Sequence, residues 1–289
     1  MHYEGTIIRP PSEADSIILQ VTVGCSHNRC TFCGTYKDKP FRIKEAATVD
    51  ADLAFAASYC KHQKRVFLSD GDVLILSQHR LIELLGKIHQ QLPWVNRVSL
   101  YGNAKAIRAK TVDQLCELKG MGLNRIYMGL ESGYDPVLSA IKKGADSTQM
   151  IAAGRRVRQA GLFLSVTALL GIAGDTDSLS HAQATGRVLS AMGPNQIGVL
   201  SLMLLPNTEL YAAQQDGHFH LPSPVALLHE LRAMVEHIDL ERVQFQSNHA
   251  SNYLPINARL CRDKKKVLQM IDAALTGQVA LTPEHYRRL

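Results

Sequence analysis

The chain is predicted to fold as an α/β protein, a partial (β/α)6 barrel with a C-terminal α/β extension. Short β-branched or apolar runs alternate six times with longer amphipathic stretches. The apolar runs are also continuous rather than alternating, as expected of parallel strands buried on both faces. Strand–helix alternation implies right-handed crossovers between parallel neighbours. An open doubly wound sheet would satisfy the same rhythm.

The strand candidates are SIILQVTV (16–23), RVFLSD (65–70), RVSLYG (97–102), RIYMGLES (125–132), LFLSVTALLG (162–171) and QIGVLSLMLL (196–205). Helices are expected over 48–60, 77–91, 111–120, 135–160 with a break near Gly144, 178–192 and 208–216. Thr48 with Asp50, Thr111 with Asp113, and Ser178 supply N-cap chemistry, and Gly120, Gly161 and Gly193 stand where C-caps belong. After about residue 221 the rhythm changes to a helix (223–239), a strand RVQFQS (242–247), a polar loop and a last helix (263–276). The expected organisation is an N-terminal segment (1–15), a barrel (16–220) and an extension (221–289) that covers it.

Composition narrows the function classes. Of 289 residues 46% are apolar, and no apolar run approaches the roughly 20 residues needed to span a bilayer. The opening MHYEGTIIRPPSEAD has no apolar signal region, so a cytoplasmic location with reduced cysteines and no membrane partner is expected. A net charge of +6 suits an anionic substrate or RNA. The basic residues are scattered, with clusters only at 264–266 and at Arg156 and Arg158, which favours a solvated surface over an RNA footprint.

In a parallel barrel, ligand chemistry gathers where strands end. Read in order, those ends carry a three-cysteine loop, Asp70-Gly71-Asp72, Tyr101-Gly102-Asn103, Glu131-Ser132-Gly133, Gly171-Ile172-Ala173-Gly174 and Pro206-Asn207-Thr208. Together they predict a polar ligand.

Cys25, Cys30 and Cys33 fall within nine residues. Thiolates ligate soft metals and iron–sulfur clusters. A structural zinc site wants four ligands, and His27 inside the loop would supply the fourth. A [4Fe–4S] cube on three cysteines instead leaves one iron open to a cofactor, as S-adenosylmethionine (SAM) radical chemistry requires. Cys60 and Cys116 lie in helical patterns and are expected to be buried, with Cys261 exposed.

Three segments then carry a resemblance. GCSHNRCTFCGTYK (24–37), FLSDGD (67–72) and MGLESGYDPVLSAIKKG (128–144) resemble radical SAM enzymes, with the likeness running from about residue 16 to 210. The last is similar to the GLESG-x-D-x-V-L stretch of the branch containing methylthiotransferases, elongator-type tRNA enzymes and oxygen-independent coproporphyrinogen oxidases. The resemblance implies a TIM-like partial barrel and a [4Fe–4S] cluster on Cys25, Cys30 and Cys33. It also implies reductive cleavage of SAM to a 5′-deoxyadenosyl radical, and a reductant such as flavodoxin or ferredoxin. One departure is clear: the family spacing is C-x3-C-x2-C, whereas this loop is C-x4-C-x2-C. The approach of the first thiolate is therefore not transferable.

Residue by residue, the resemblance implies a SAM site. Phe32 matches an aromatic that packs on adenine, and Asp70-Gly71-Asp72 matches the Gly-Gly-Glu segment that holds the amino group. Asn103, Glu131 and Ser132 are the polar strand-end groups, Arg158 matches an arginine for the SAM carboxylate, and Gly171 opens the glycine segment beside adenine. A second cluster and a cobalamin domain are not expected, because the other cysteines are dispersed and few residues precede the first strand.

QSNHASNYLP (246–255) reads either as a polar turn or as a substrate-facing loop, with Asn248, His249 and Tyr253 as catalytic candidates and His249 as acid/base. Tyr36, Lys37 and Lys39 are a second set, for anionic substrate groups or for solvation alone, and His218 and His220 are surface histidines or heme contacts. The function expected is a radical SAM enzyme acting on a small or medium organic substrate. The alternatives are a tRNA- or protein-modifying radical SAM enzyme and a non-catalytic heme-binding relative of coproporphyrinogen oxidases.

Overall fold

The computed structural model describes residues 1–288. In chain order the elements begin with β1 (Ile17–Gln20), β2 (Thr22–Val23), β3 (Arg42–Ile43), α1 (Ala46–Tyr59), β4 (Arg65–Ser69), α2 (Gln78–Gln91) and β5 (Arg97–Tyr101). They continue with α3 (Ala104–Arg108), α4 (Val112–Gly120), β6 (Leu123–Glu131), α5 (Asp135–Ala140), α6 (Ser147–Gln159), β7 (Phe163–Leu170) and α7 (Ser178–Met192). The last are β8 (Gln196–Ser201), α8 (Glu209–Gln215), α9 (Pro224–Glu236), β9 (Val243–Gln246), β10 (Asn257–Leu260) and α10 (Lys264–Leu275). Eight of the ten strands belong to one mostly parallel sheet, so the α/β class with parallel strands is as expected. Among the described residues no helix is long and apolar enough to cross a membrane.

The chain packs as two compact units: Met1–Asn28, Thr35–Met128 and Arg156–Leu164 form the first, and Arg29–Gly34, Gly129–Arg155 and Ser165–Leu289 the second. In the first unit β1, β4, β5 and β6 pair in parallel, with Leu19 opposite Leu68 and Leu100 opposite Ile126. These side chains are at most 1% exposed, the two-faced burial that the continuous apolar runs imply. Phe67, Tyr101 and Tyr127 meet edge-on at 5.1 to 6.0 Å. Helix α2 buries Leu81, Leu84, Leu85 and Ile88, a 3.6-residue stripe, behind an N-cap at Ser77. Helix α4 starts on a capping box between Thr111 and Gln114.

The predicted 16–23 strand divides. Val21 N–H donates to the Ser69 carbonyl, after which Thr22–Val23 leaves to pair antiparallel with β3. Gly24, at φ +77°, then leads into the cysteine loop. Cys60 and Cys116 are not buried as expected: Cys60 is half-buried at the C-cap of α1, and Cys116 is exposed. The inward positions of α4 go to Leu115 and Leu118, which places Cys116 on its outer face.

In the second unit β7, β8 and β9 run parallel, and β10 returns antiparallel to β9. The break near Gly144 separates α5 from α6, and α7 ends on Gly193 at φ +64°, a left-handed cap. Helices α7 and α9 approach closely at Gly186, where a Cβ would lie 2.6 Å from the Met234 carbonyl oxygen.

Candidate functional site

In the first unit β4 ends at Ser69, and the two carboxylates that follow are fully buried. Asp70 accepts from the Tyr36 hydroxyl and from Gln20 Nε2 at 3.4 Å. Burial pushes its carboxyl up, against the pull of Tyr36, Gln20, the Gly24 N–H and Lys39. Burial and Asp70 together keep Tyr36 protonated far above the usual phenol range. Asp72 accepts from Ser26 Oγ and Asn103 Nδ2, both at 2.6 Å. Burial raises its carboxyl to about 6, although these hydrogen bonds and Lys110 oppose the shift.

Asn103 also caps α3 by accepting the Ala106 N–H at 2.8 Å. One buried carboxylate thus ties the end of β5 to the residue after Cys25. Gly71 closes this arrangement, since a Cβ there would sit 3.0 Å from Cys25 Cβ and 2.8 Å from the Tyr36 ring.

The second unit holds the rest of the cysteine loop. Thr31 N–H donates to the Ile141 carbonyl, Thr31 O accepts from Leu210 N–H, and Asn207 Nδ2 donates to the Gly34 carbonyl at 2.8 Å. Phe32 packs on an apolar cluster of Val137, Ile141, Leu169, Ile172 and Leu202.

At the end of β6, Glu131 adopts φ +64°, a left-handed conformation uncommon outside glycine. Its carboxylate accepts from Lys143 Nζ at 2.9 Å. Lys143 is only 14% exposed along its side chain. Burial works against its charge, but Glu131 and the thiols of Cys30 and Cys33 more than offset this and raise its pKa. Ser132 Oγ lies 2.8 Å from His181 Nδ1, and Gly171 N–H, at φ +80°, donates to Glu230 Oε1.

The extension's loop is anchored at the C-terminal end of β8, the strand end from which Asn207 reaches Gly34. Ser201 donates its N–H to Ser251 Oγ and its hydroxyl to Asn252 Oδ1, and Asn252 Nδ2 donates to Val199 O and Ser247 O. His249 Nδ1 accepts from Ser251 N–H at 3.1 Å, and burial lowers its pKa. The Tyr253 hydroxyl is bound by Glu284 and Arg287, and Asn248 is exposed.

Arg158 is exposed near the C-terminus of α6, and Nη1 donates to the Leu162 carbonyl just before β7 begins. Tyr36 serves Asp70 rather than solvent, Lys37 donates to Asn28 O at 3.3 Å, and His218 and His220 are exposed.

Sequence reasoning missed Lys143, which lies in the MGLESGYDPVLSAIKKG segment but is given no role by it. It also missed Ser26, His181 and Glu230. Only their placement at strand ends or on facing helices gives them a role, and a residue pattern does not reveal helix pairing.

The donor set fits an iron–sulfur cluster. All six cysteines are thiols, and three of them lie in a loop pinned by backbone hydrogen bonds, with a buried ammonium set against two. Among the described residues no three His, Cys, Asp or Glu side chains are grouped to hold one metal ion. A [4Fe–4S] cube takes one thiolate on each of three irons.

A mostly parallel α/β chain with a three-thiol loop and buried polar strand ends defines a class of cluster-bearing proteins. Residues 19–182 match the radical SAM superfamily, and the chain belongs to that superfamily. Over 160 residues it is 25% identical to the heme chaperone HemW of Bacillus subtilis (strain 168), covering 55% of this chain and 42% of that relative. The chain thus spans under half the length of the curated relative it matches. Among solved structures it is similar to the radical SAM methyltransferase TsrM from Kitasatospora setae with cobalamin and a [4Fe–4S] cluster bound. There the TM-score is 0.56 at 20% identity, covering 68% of this chain and 39% of that one. It is also similar to coproporphyrinogen III oxidase (HemN) from Escherichia coli, a radical SAM enzyme, with TM-score 0.55 at 18% identity, covering 76% of this chain and 52% of that one. At such identities these likenesses speak for the fold.

Proposed function

We propose that this chain is a radical SAM enzyme that holds a [4Fe–4S] cluster on Cys25, Cys30 and Cys33, binds SAM at the strand ends and acts on a small or medium organic substrate. The observation that carries this reading is the three-thiol loop in a chain of this superfamily, with the Lys143–Glu131 ion pair at the end of β6. Held by Cys25, Cys30 and Cys33, a cluster would supply the electron for reductive cleavage of SAM to a 5′-deoxyadenosyl radical.

The chain's own residues bind and orient. Asp72, held by Asn103 and Ser26, offers a buried anionic acceptor to the ligand's ammonium, and Asp70 and Gly71 shape the turn around it. Lys143 takes the carboxylate role first expected of Arg158, because it is the buried cation beside the cysteine loop. Glu131 and Ser132 offer polar groups to the ribose or amino-acid portion. Phe32 and Gly171 leave an apolar face and a close backbone approach for adenine. In the extension's loop His249 is the proton-transfer group: Ser251 occupies Nδ1 and directs Nε2 to substrate. Asn248 and Tyr253 flank it, Tyr253 with its hydroxyl fixed by Glu284 and Arg287. A one-electron donor such as flavodoxin or ferredoxin completes the system.

The test is the EPR signal of the anaerobically reconstituted, reduced protein with and without SAM. A change on adding SAM supports binding at the cluster, and an unchanged signal counts against it. The similarity to HemW favours a second reading, carriage of heme. Tight heme retention, with no SAM turnover by the reconstituted protein, would favour that reading.

A further inference from the structure

The second unit buries a hydrogen-bonded chain whose Glu230, His181, Ser178 and Thr185 the proposed chemistry does not use. Glu230 on α9 is 1% exposed, and its Oε1 accepts the Gly171 N–H at 2.7 Å while Oε2 accepts the Ser178 hydroxyl at 2.5 Å. Oε1 also lies 3.3 Å from Nε2 of His181, a fully buried residue on α7. The same Nε2 faces the Leu169 carbonyl at 3.1 Å. A carboxylate and a carbonyl only accept, so Nε2 carries the proton.

The other ring nitrogen, Nδ1, is 2.8 Å from Ser132 Oγ and 3.3 Å from Thr185 Oγ1. Those hydroxyls in turn accept backbone N–H groups, Ser132 Oγ from Tyr134 at 3.0 Å and Thr185 Oγ1 from Gly133 at 2.8 Å. One carboxylate, one imidazole and two hydroxyls therefore fix the backbone of two strand-end turns, after β6 and after β7.

There is little slack in this arrangement. A Cβ on Gly133 would lie 2.6 Å from the Ala184 carbonyl oxygen, so α7 packs directly on the turn. A buried carboxylate is weak evidence for stability, because apolar replacements often do as well. Buried polar networks with every member satisfied do specify one arrangement of the groups they join.

We infer that Glu230 and His181 are positioning residues, which pass the placement of helix α9 on to the turns carrying Glu131, Ser132 and Gly171 and so set the geometry in which those residues meet SAM. The inference rests on the SAM site proposed above. It gives the C-terminal extension a second task, bracing the turns after β6 and β7.

The test compares unmodified protein, Glu230→Ala, Glu230→Gln and Thr185→Val, each reconstituted anaerobically. Readouts are iron per chain, thermal midpoint, and affinity for S-adenosylhomocysteine as an unreactive probe. Glu230→Ala should bind the probe about tenfold or more weakly with iron unchanged. Glu230→Gln should restore affinity to within about threefold, because its Oε1 still accepts the Gly171 N–H. Folded Glu230→Ala with unchanged affinity, or a Gln variant as weak as Ala, would overturn the inference. If Glu230→Ala does not fold, Thr185→Val decides, since it removes the acceptor of Gly133 N–H and the contact with His181 Nδ1 while leaving Glu230 in place: weaker binding supports the brace and unchanged binding refutes it. Failure of the unmodified protein to bind the probe would instead overturn the site reading, and the brace with it.

Discussion

Lys143 donates a 2.9 Å hydrogen bond to Glu131, forming a largely buried ion pair whose cation also feels the thiols of Cys30 and Cys33. The pair sits where β6 ends, and Glu131 holds a left-handed backbone there that costs on the order of 1–3 kcal/mol. Strain of that size persists where surrounding structure over-determines it, as happens at ligand sites.

Lys143→Ala should weaken SAM binding roughly 10- to 150-fold, the worth of one charged hydrogen bond at about 1.5–3 kcal/mol. Lys143→Arg should retain most of the affinity, and Arg158→Ala should change nothing. Isothermal titration of the reconstituted variants checks the set. The reverse ranking of Lys143 and Arg158 would restore the arginine assignment.

Asp72 gives a pH dependence with a definite sign. Its folded carboxyl titrates at about 6, above the ordinary 3.8, so protonation favours the folded chain. Stability should fall as pH rises from about 4 to about 6 and stay lower above that, by on the order of 2–3 kcal/mol. Denaturant midpoints of metal-free protein across that window should show the fall, and Asp72→Asn should flatten it. An ammonium ligand draws the same carboxyl down, so SAM affinity should rise with pH through about 6. Equal pH slopes for both proteins would contradict this placement of Asp72.

Much of the fold was legible because its signal is local. Continuous apolar runs such as RVFLS and FLSVTALL mark strands buried on both faces, and Gly193 marks the end of α7. Strand β10 was not legible, since NARL has neither an apolar run nor alternation and is a strand only because β9 pairs with it. The same holds at the site. Asp72, Asn103 and Glu131 follow strands and so stand out in the sequence. Lys143 lies twelve residues beyond Glu131 and meets it only after the chain has turned back through α5. Arg158 is the converse case, an exposed helix position whose residue type suits the role.

Gly71→Ala should lower cluster retention. The new Cβ would press on Cys25 Cβ and the Tyr36 ring, and overpacking of this kind typically costs about 1–3 kcal/mol. Iron and sulfide per chain after desalting should fall, while the iron-free variant stays folded by circular dichroism. Full retention would show that Gly71 does not shape the loop.

His249→Ala should impair turnover of the true substrate while leaving iron content and SAM affinity near those of the unmodified protein. A parallel loss of SAM affinity would move His249 from the substrate side to the cofactor side of the site.

The most direct measurement is product analysis after the anaerobic, reduced protein is incubated with SAM. The unmodified protein should carry one [4Fe–4S] cluster and release 5′-deoxyadenosine and methionine in equal amounts. The variant with Cys25, Cys30 and Cys33 all changed to Ala should carry no cluster and release neither. A native protein that holds zinc alone, a triple variant that keeps full iron and sulfide, or a loaded cluster that leaves SAM intact would contradict the account.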